Sequence, residues 1–367
     1  MRVFLGLLVL LGAVSFVLGA TSPDATHVWS IYLANLLFWS GLAVTGPAIA
    51  SMMELTEARW SPSVKRLALT TAGFLPVSLV LFVLLFTGRA VLYAWVREPV
   101  AVKAVWLNVP FMAARTAIGA LLLFWICFTY AGAAFHEDPA GRDKPRRNRL
   151  ATTLLFLYVI VVSLWGFDLV MSIDPKWYSG LFGGYFVVSA LYTGFALLSI
   201  LTIRANAQGE TAVSPSAVQD VAKLQFAMSI MWMYFFWSQY LVIWYGNVPI
   251  ETRFFLRRVF VDPWRSVAWT VLIVGWALPF CYLLKRLTGR PPQRHTPLLV
   301  VSLMGLFAIF LERIFLVFPA VSEQNRLPVA GSDVFITAGF LSLFLLSRRW
   351  FFIRFKPFLN APEPIPH

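Results

Sequence analysis

Three charged residues stand inside long apolar stretches of the sequence: Asp168, Glu312 and Arg313. A charged side chain at membrane depth costs roughly 2.5 to 3.5 kcal/mol on insertion scales, so it tends to face a bundle interior, a partner or a water-filled route. Carboxylates in such places can carry protons or contact a quinone, and arginines can keep them ionised. These three residues are therefore the first functional candidates.

The composition requires that most of the chain lies in a membrane. Hydrophobic residues make up 59% of the 367 residues and charged residues only 13%, and the mean hydropathy is +0.74. About 20 apolar residues cross a bilayer as a helix, and the apolar runs here are continuous rather than alternating. The sequence predicts an all-α integral membrane protein, with one polytopic domain over residues 1–355 and a Pro-rich cytoplasmic tail over residues 356–367. The ten predicted spans lie near residues 3–20, 28–53, 67–86, 111–134, 151–172, 177–203, 224–246, 266–284, 297–318 and 332–353.

The basic residues predict how the spans are oriented. Ten spans place nineteen of the 30 Lys and Arg residues on the side that holds both termini and ten on the other, with Arg115 at a span edge. Because cytoplasmic loops are enriched in Lys and Arg, both termini are predicted to be cytoplasmic. The first span has a second interpretation as a cleaved signal peptide, since Arg2 precedes an apolar run that ends at Ala20. Leu18 favours a retained helix, because signal peptidase prefers a small residue there.

The spans offer no ligand set for a metal or a haem. A membrane b-type haem needs histidines on facing helices, whereas the histidines here fall in predicted loops or at span edges. Cys127 and Cys281 are isolated, without a Cys-x-x-Cys pair. We therefore predict no metal site and no covalently bound cofactor. The net charge of +13 reflects basic loops beside membrane lipid rather than nucleic-acid binding. The four histidines are His27, His136, His295 and His367.

The predicted topology places further ionisable residues near the outer level of Asp168 and Glu312. Asp168, Glu312 and Asp333 are the candidate proton carriers, in that order, and Arg115 and Arg313 are their candidate charge partners. Because neighbouring residues point to different faces of a helix, Glu312 and Arg313 are each expected to have a separate partner. The other interpretation is charge pairing alone, in which the arginines only neutralise buried carboxylates.

The outer part of span seven and the segment after it supply candidates for an outer opening. Tyr245, Glu251 and Gln239 are predicted to contact a quinone or to form the outer mouth of a route. Gly246 to Pro249 is a turn sequence, and residues 250–258 have a helical period. A short helix on the outer surface is expected, either as an interfacial cap or as a place where a partner or ligand docks.

At these residues the chain resembles a known family. The run from Trp165 to Tyr178, WGFDLVMSIDPKWY, resembles the second quinone-type membrane subunit of alternative complex III, a bacterial respiratory quinol oxidoreductase. Five further segments carry the same resemblance, and together they extend over most of the bundle. They are YLAN at 32–35 with LTEARW at 55–60, LNVPF at 107–111 with Arg115, SQY at 238–240, and IWYGNVPIET at 243–252.

The resemblance implies an architecture, partners and a role. It implies two four-helix bundles flanked by terminal helices, as in the polysulfide reductase membrane anchor superfamily, in the bacterial inner membrane. The implied partners are a sister quinol-oxidising membrane subunit, an iron-sulfur subunit and c-type cytochrome subunits, which would hold the iron-sulfur clusters and haem c. The implied role of this chain is proton transfer, or contact with a quinone such as menaquinone, and it is not expected to catalyse alone.

Two other classes of protein compete with this interpretation. A passive scaffold would use its charges only to hold subunits together. A secondary transporter would show polar residues at the midplane and paired broken helices. Here the polar residues lie further outward, and Pro76 and Pro279 interrupt spans three and eight without an intramembrane charge beside them.

Overall fold

The protein is a bundle of long helices. The structure, a computed structural model, describes residues 2–58, 62–136, 141–209, 213–285, 287, 295–321 and 327–355. Every regular element within these ranges is helical, and ten of the helices are long and apolar enough to cross a membrane. The prediction of an all-α multi-pass membrane protein is confirmed. The predicted tail, residues 356–367, lies outside the described residues.

The helices overlap all ten predicted spans, but several bounds differ. The fifth span begins earlier than predicted, at Lys144, and the third extends at both ends, over Pro62–Leu92. The seventh span begins earlier because Ser214 accepts a hydrogen bond from the Ala217 backbone N–H and Pro215 starts the helix, so two polar turns precede the apolar run. The sixth begins later, at Phe182, since Trp177 lies in the preceding loop. The helices are α1 (Arg2–Ala20), α2 (Ala25–Leu55), α3 (Pro62–Leu92), α4 (Val109–Phe135), α5 (Lys144–Ile173), α6 (Phe182–Ala207), α7 (Pro215–Gly246), α8 (Pro249–Val259), α9 (Trp264–Leu284), α10 (Thr296–Val321) and α11 (Gly331–Arg354).

The helices form two packed groups that share a central layer. Helices α2 to α5 pack on one another, and α6, α7, α9 and α10 form the second group. Helices α2 and α6 are the most completely buried, because each also packs against the other group. Helices α1 and α11 pack together at one side. This central layer places residues of α6 and α10 away from lipid.

Helix α1 is attached to α11 by a close glycine crossing. Gly12 is the buried residue of α1, and a Cβ added there would lie 2.7 Å from the Phe335 carbonyl oxygen and 3.0 Å from the Gly339 Cα. Small residues let membrane helices approach closely, where dispersion contacts replace a hydrophobic driving force. Phe16 of α1 also packs against Trp29 and Tyr32 of α2, whereas most other side chains of α1 are exposed.

Ion pairs join the helix ends that are predicted to be cytoplasmic. The Glu54 carboxylate lies 2.6 Å from Lys65 Nζ and 2.9 Å from Arg147 Nε. Glu57, at the end of α2, lies 2.7 Å from Lys144 Nζ at the start of α5. Loops that the topology assigns to one side thus meet in the structure.

The opposite end carries the predicted surface helix. Asn247 ends α7 in the left-handed conformation, with φ of 44°, and Pro249 starts α8. Helix α8 covers the ends of α7 and α10. The expected turn and short helix are therefore present at the end that is predicted to be outer.

Candidate functional site

The three candidate carboxylates are buried in three separate clusters. Asp168 is 2% exposed, Glu312 1% and Asp333 2%. Among the described residues, no hydrogen bond or ion pair connects one cluster with another. The clusters also differ in depth. At a rise of about 1.5 Å per residue, Glu312 lies roughly 13 Å from the predicted outer end of α10. Asp168 lies only roughly 7 Å from the predicted outer end of α5. The expected single outer group is thus divided.

Asp168 forms a bidentate ion pair with Arg115. Arg115 donates from Nε to Oδ2 at 3.0 Å and from Nη2 to Oδ1 at 2.8 Å, and the Trp106 indole donates to Oδ1 at 3.0 Å. The guanidinium lies 3.9 Å from the centre of the Trp106 ring and 4.1 Å from that of Phe111. This charge-assisted arrangement is strong and geometrically fixed. Arg115, a predicted charge partner, therefore neutralises Asp168.

The backbone around Asp168 is a π-helical turn, Gly166–Val170. Such single turns occur mostly as bulges within α-helices, often at functional sites. Helix α6 approaches this turn through Gly183, where an added Cβ would lie 2.7 Å from the Phe167 ring. The close approach fixes α5 against α6 and so fixes the position of Asp168.

Glu312 is held mainly by neutral donors from two other helices. The Tyr185 hydroxyl donates to Oε1, as does the Trp232 indole at 2.9 Å. The Ser189 hydroxyl donates to Oε2 at 2.6 Å. Arg313 Nη1 also lies 3.3 Å from Oε2. Helices α6, α7 and α10 therefore meet at this carboxylate.

Arg313 is a neighbour of Glu312 in space as well as in sequence. Its Nη2 donates to the Ser189 hydroxyl at 2.9 Å, and its Cζ lies 3.9 Å above the Phe186 ring. The expectation of separate partners for Glu312 and Arg313 is wrong, because the long arginine side chain curves back and both residues contact Ser189. Within the described residues, Arg313 Nε and Nη1 have no hydrogen-bond acceptor.

Asp333 pairs with a histidine that sequence reasoning considered only as a haem ligand. His27 Nε2 lies 2.9 Å from Asp333 Oδ2. The same oxygen accepts from the Ala330 backbone N–H at 3.1 Å, so the carboxylate also caps the start of α11. Both residues lie at span ends that are predicted to be at the outer membrane surface. Their common position in the predicted topology could have suggested this pair.

The three outer-mouth candidates are not brought together. Tyr245 is 86% exposed at the end of α7, and Glu251 is half-buried in the first turn of α8. Gln239 instead lines a narrow cavity beneath α8, whose wall also includes Tyr185 of the Glu312 cluster. Gln239 is therefore the candidate that lies closest to a buried carboxylate cluster.

A larger crevice lies beside Asp168. Its volume is about 630 Å³, and its largely apolar wall includes Trp106, Phe167, Met171 and Tyr178. Sites for small organic ligands are roughly 300 to 1,000 Å³, mostly apolar, with a few placed polar groups. Trp106 links this crevice to Asp168 through its indole N–H. A ring-sized ligand would fit here.

The described residues contain no group of three or more His, Cys, Asp or Glu side chains that could hold a metal ion. No protein-family model matches the chain, and the search of curated proteins found no match. The fold and the buried charges thus define a polytopic helical membrane protein with three buried carboxylate clusters.

Proposed function

We propose that this chain is a membrane subunit of a respiratory quinol:electron-acceptor oxidoreductase of the alternative complex III type. In the bacterial inner membrane, with both termini cytoplasmic, it contributes proton transfer or quinone contact near the outer face. Its partners are a sister quinol-oxidising subunit, an iron-sulfur subunit and c-type cytochrome subunits, which supply the redox centres. The resemblance of the runs at 165–178 and 243–252 supports this assignment.

The observation that carries the proton-transfer role is the hydrogen bonding of Glu312. Its donors Tyr185 and Ser189 are hydroxyls, which both donate and accept, so they can reverse when the carboxylate gains or loses a proton. Asp168 instead faces a guanidinium fork that only donates and cannot deprotonate. Glu312 is therefore the best proton carrier of the three carboxylates, ahead of Asp168 and Asp333.

Quinone contact is supported by the crevice beside Asp168. Its volume suits a ring-sized ligand, and its apolar wall suits a lipid-soluble one. In this role Asp168 and Arg115 position Trp106 rather than exchange protons. Menaquinone and ubiquinone both fit this chemistry.

The test uses the assembled complex purified in mild detergent. Glu312→Gln should retain assembly and slow quinol turnover and the accompanying proton release by roughly tenfold or more, because the amide cannot carry the protons that quinol oxidation must release. Asp220→Asn is the control, since Asp220 is partly exposed and pairs with Lys223 at the opposite end. Wild-type proton release in Glu312→Gln would refute the role of Glu312. A lone or homo-oligomeric protein without iron-sulfur and haem c subunits would refute the assignment to this complex.

A passive scaffold is the second candidate, and the ion pairs favour it. Asp168 is neutralised by Arg115 and Asp333 faces His27, so both can act purely as cross-links between helices. Glu312→Gln distinguishes the two functions, and Asp168→Asn tests whether the cross-link at Asp168 matters for quinol turnover. Unchanged quinol turnover in both variants, together with unchanged proton release in Glu312→Gln, would favour the scaffold.

A further inference from the structure

The narrow cavity beneath α8 has polar groups that do not contact any of the three buried carboxylates. Trp177, Gln239 and Arg258 line it together with aromatic rings. Trp177 lies in the loop between α5 and α6, Gln239 on α7 and Arg258 on α8. Three separate stretches of chain thus place nitrogen donors around one small space.

Two of these donors are buried and lack an acceptor. Trp177 is 2% exposed, and its Nε1 has no hydrogen-bond partner among the described residues. The same holds for Gln239 Nε2. Buried N–H groups are usually paired in native proteins, so unpaired N–H groups on residues that line one cavity are candidate donors to a bound acceptor.

Arg258 adds a buried positive charge to the wall. It is 2% exposed, and no carboxylate of the described residues lies within ion-pair distance of it. Asp174 acts on it only from further away. Burial lowers the pKa of Arg258 from 12.5 to about 9, which leaves the guanidinium charged at neutral pH. A buried cation without an anionic partner attracts one.

The guanidinium is fixed in place by backbone carbonyls. Arg258 donates to the carbonyl oxygens of Phe254 at 3.0 Å, Phe315 at 3.3 Å and Leu316 at 2.8 Å. The Phe315 carbonyl needs this donor because Pro319, four residues on, has no N–H. A guanidinium has five N–H donors, and these contacts use three of them. Its position is therefore set before any ligand binds.

Ring stacking in the cavity wall holds the Trp177 indole in place. The Trp177 and Phe254 rings are parallel, with centres 3.7 Å apart, and the Arg258 Cζ lies 3.5 Å from the centre of the Phe254 ring. Phe254 is thus packed between the indole and the guanidinium. This sandwich makes the cavity rigid and donor-lined.

The volume decides which ligand fits. The cavity measures about 40 Å³. A site for a ring-sized ligand is roughly 300 to 1,000 Å³, whereas a water molecule needs only about 10 to 15 Å³. A halide ion is similar in size to a water molecule and, unlike water, only accepts hydrogen bonds. The two nitrogen donors without acceptors, together with a buried cation, favour the halide.

We propose that the cavity beneath α8 binds a small monovalent anion, held by Arg258 and by the N–H groups of Trp177 and Gln239. Chloride is the probe of choice. The site does not depend on the proposed function, because anion binding needs neither a quinone nor proton transfer. It stabilises the contact between the 174–181 loop, α7 and α8.

The test compares halide with a large anion at constant ionic strength. The purified full-length chain in nanodiscs is melted in sodium chloride, sodium bromide or sodium gluconate. We expect a saturable rise of about 1 to 3 °C in melting temperature with either halide, since a ligand that binds only the folded state stabilises it. Equal melting temperatures in chloride and gluconate would overturn the proposal.

Matched tryptophan variants test whether the rise in melting temperature with halide arises at this cavity. Trp177→Phe removes the N–H but keeps an aromatic ring against Phe254, and it should abolish the halide response, as should Gln239→Leu. Trp264→Phe is the control, because Trp264 Nε1 is also buried and without an acceptor but does not line this cavity. A halide response that persists in Trp177→Phe, or disappears equally in Trp264→Phe, would contradict the site.

Bromide gives a direct readout of occupancy. Crystals grown in sodium bromide should show an anomalous peak between Arg258, Trp177 and Gln239. Density without an anomalous peak would mean that water fills the cavity and would overturn anion binding, whatever the melting temperatures show.

Discussion

The Asp168 and Glu312 clusters bury the same functional group in two different ways. At Asp168, the acid faces a guanidinium fork and one indole, all of which only donate. At Glu312, hydroxyls of Tyr185 and Ser189 provide two of the contacts, and the nearest cation lies 3.3 Å away outside hydrogen-bond geometry. A carboxylate saturated by a cation is a structural cross-link, whereas one held by reversible hydroxyls can change its protonation state.

The supporting backbone explains part of this difference. Asp168 lies near the end of α5, where the loop around residue 106 and the start of α4 can both reach it. Glu312 lies deeper in α10, where only side chains of the packed helices α6 and α7 reach it. Depth thus selects the partners: a loop brings an indole and the start of α4 brings a charge to the first site, whereas helix faces bring hydroxyls and an indole to the second.

The largest expected effect is at Arg115. Arg115→Leu should destabilise the protein by about 3 to 5 kcal/mol, because it leaves Asp168 as an unpaired buried charge. The measurement is the free energy of unfolding in mixed micelles. Arg89→Gln is the control, since Arg89 is exposed and bonds only to the nearby Phe86 carbonyl. The double variant with Asp168→Asn should recover much of the loss, and failure to recover would mean that Arg115 acts by packing alone.

A smaller effect is expected at Tyr185. Tyr185→Phe should cost about 1 to 3 kcal/mol, the range for depriving a buried polar group of one partner, because Ser189 and Trp232 still hold Glu312. The same variant should slow proton release in the assembled complex more than Arg115→Leu does, when each rate is divided by the amount of folded protein. The reverse order would remove the distinction between the two clusters.

The smallest effect is expected at Trp106. Trp106→Phe should cost about 1 kcal/mol or less, because Arg115 retains both contacts with Asp168 and the ring position is partly exposed. If the crevice holds a quinone, the substitution should raise the apparent KM for quinol without lowering kcat. A lowered kcat with an unchanged KM would instead place Asp168 on the proton route.

The amino-acid sequence by itself determined the class of protein and the residues worth attention. Ten apolar runs of bilayer length have to be helices, because lipid cannot satisfy unpaired backbone groups. Charges inside those runs stand out for the same reason, so Asp168, Glu312 and Arg313 could be selected without a structure. The turn at Asn247 and the short helix after it were also readable, since turn residues and helical period are local properties.

Only the tertiary structure decided the partners. His27 lies 306 residues from Asp333, and Tyr185 lies 127 residues from Glu312. The rotation of each helix about its axis, set by packing at positions such as Gly183, decides which of many polar side chains meet. A sequence pattern shows which face of a helix points inward only when the other face meets water, and helices such as α2 and α6 are buried on nearly every side.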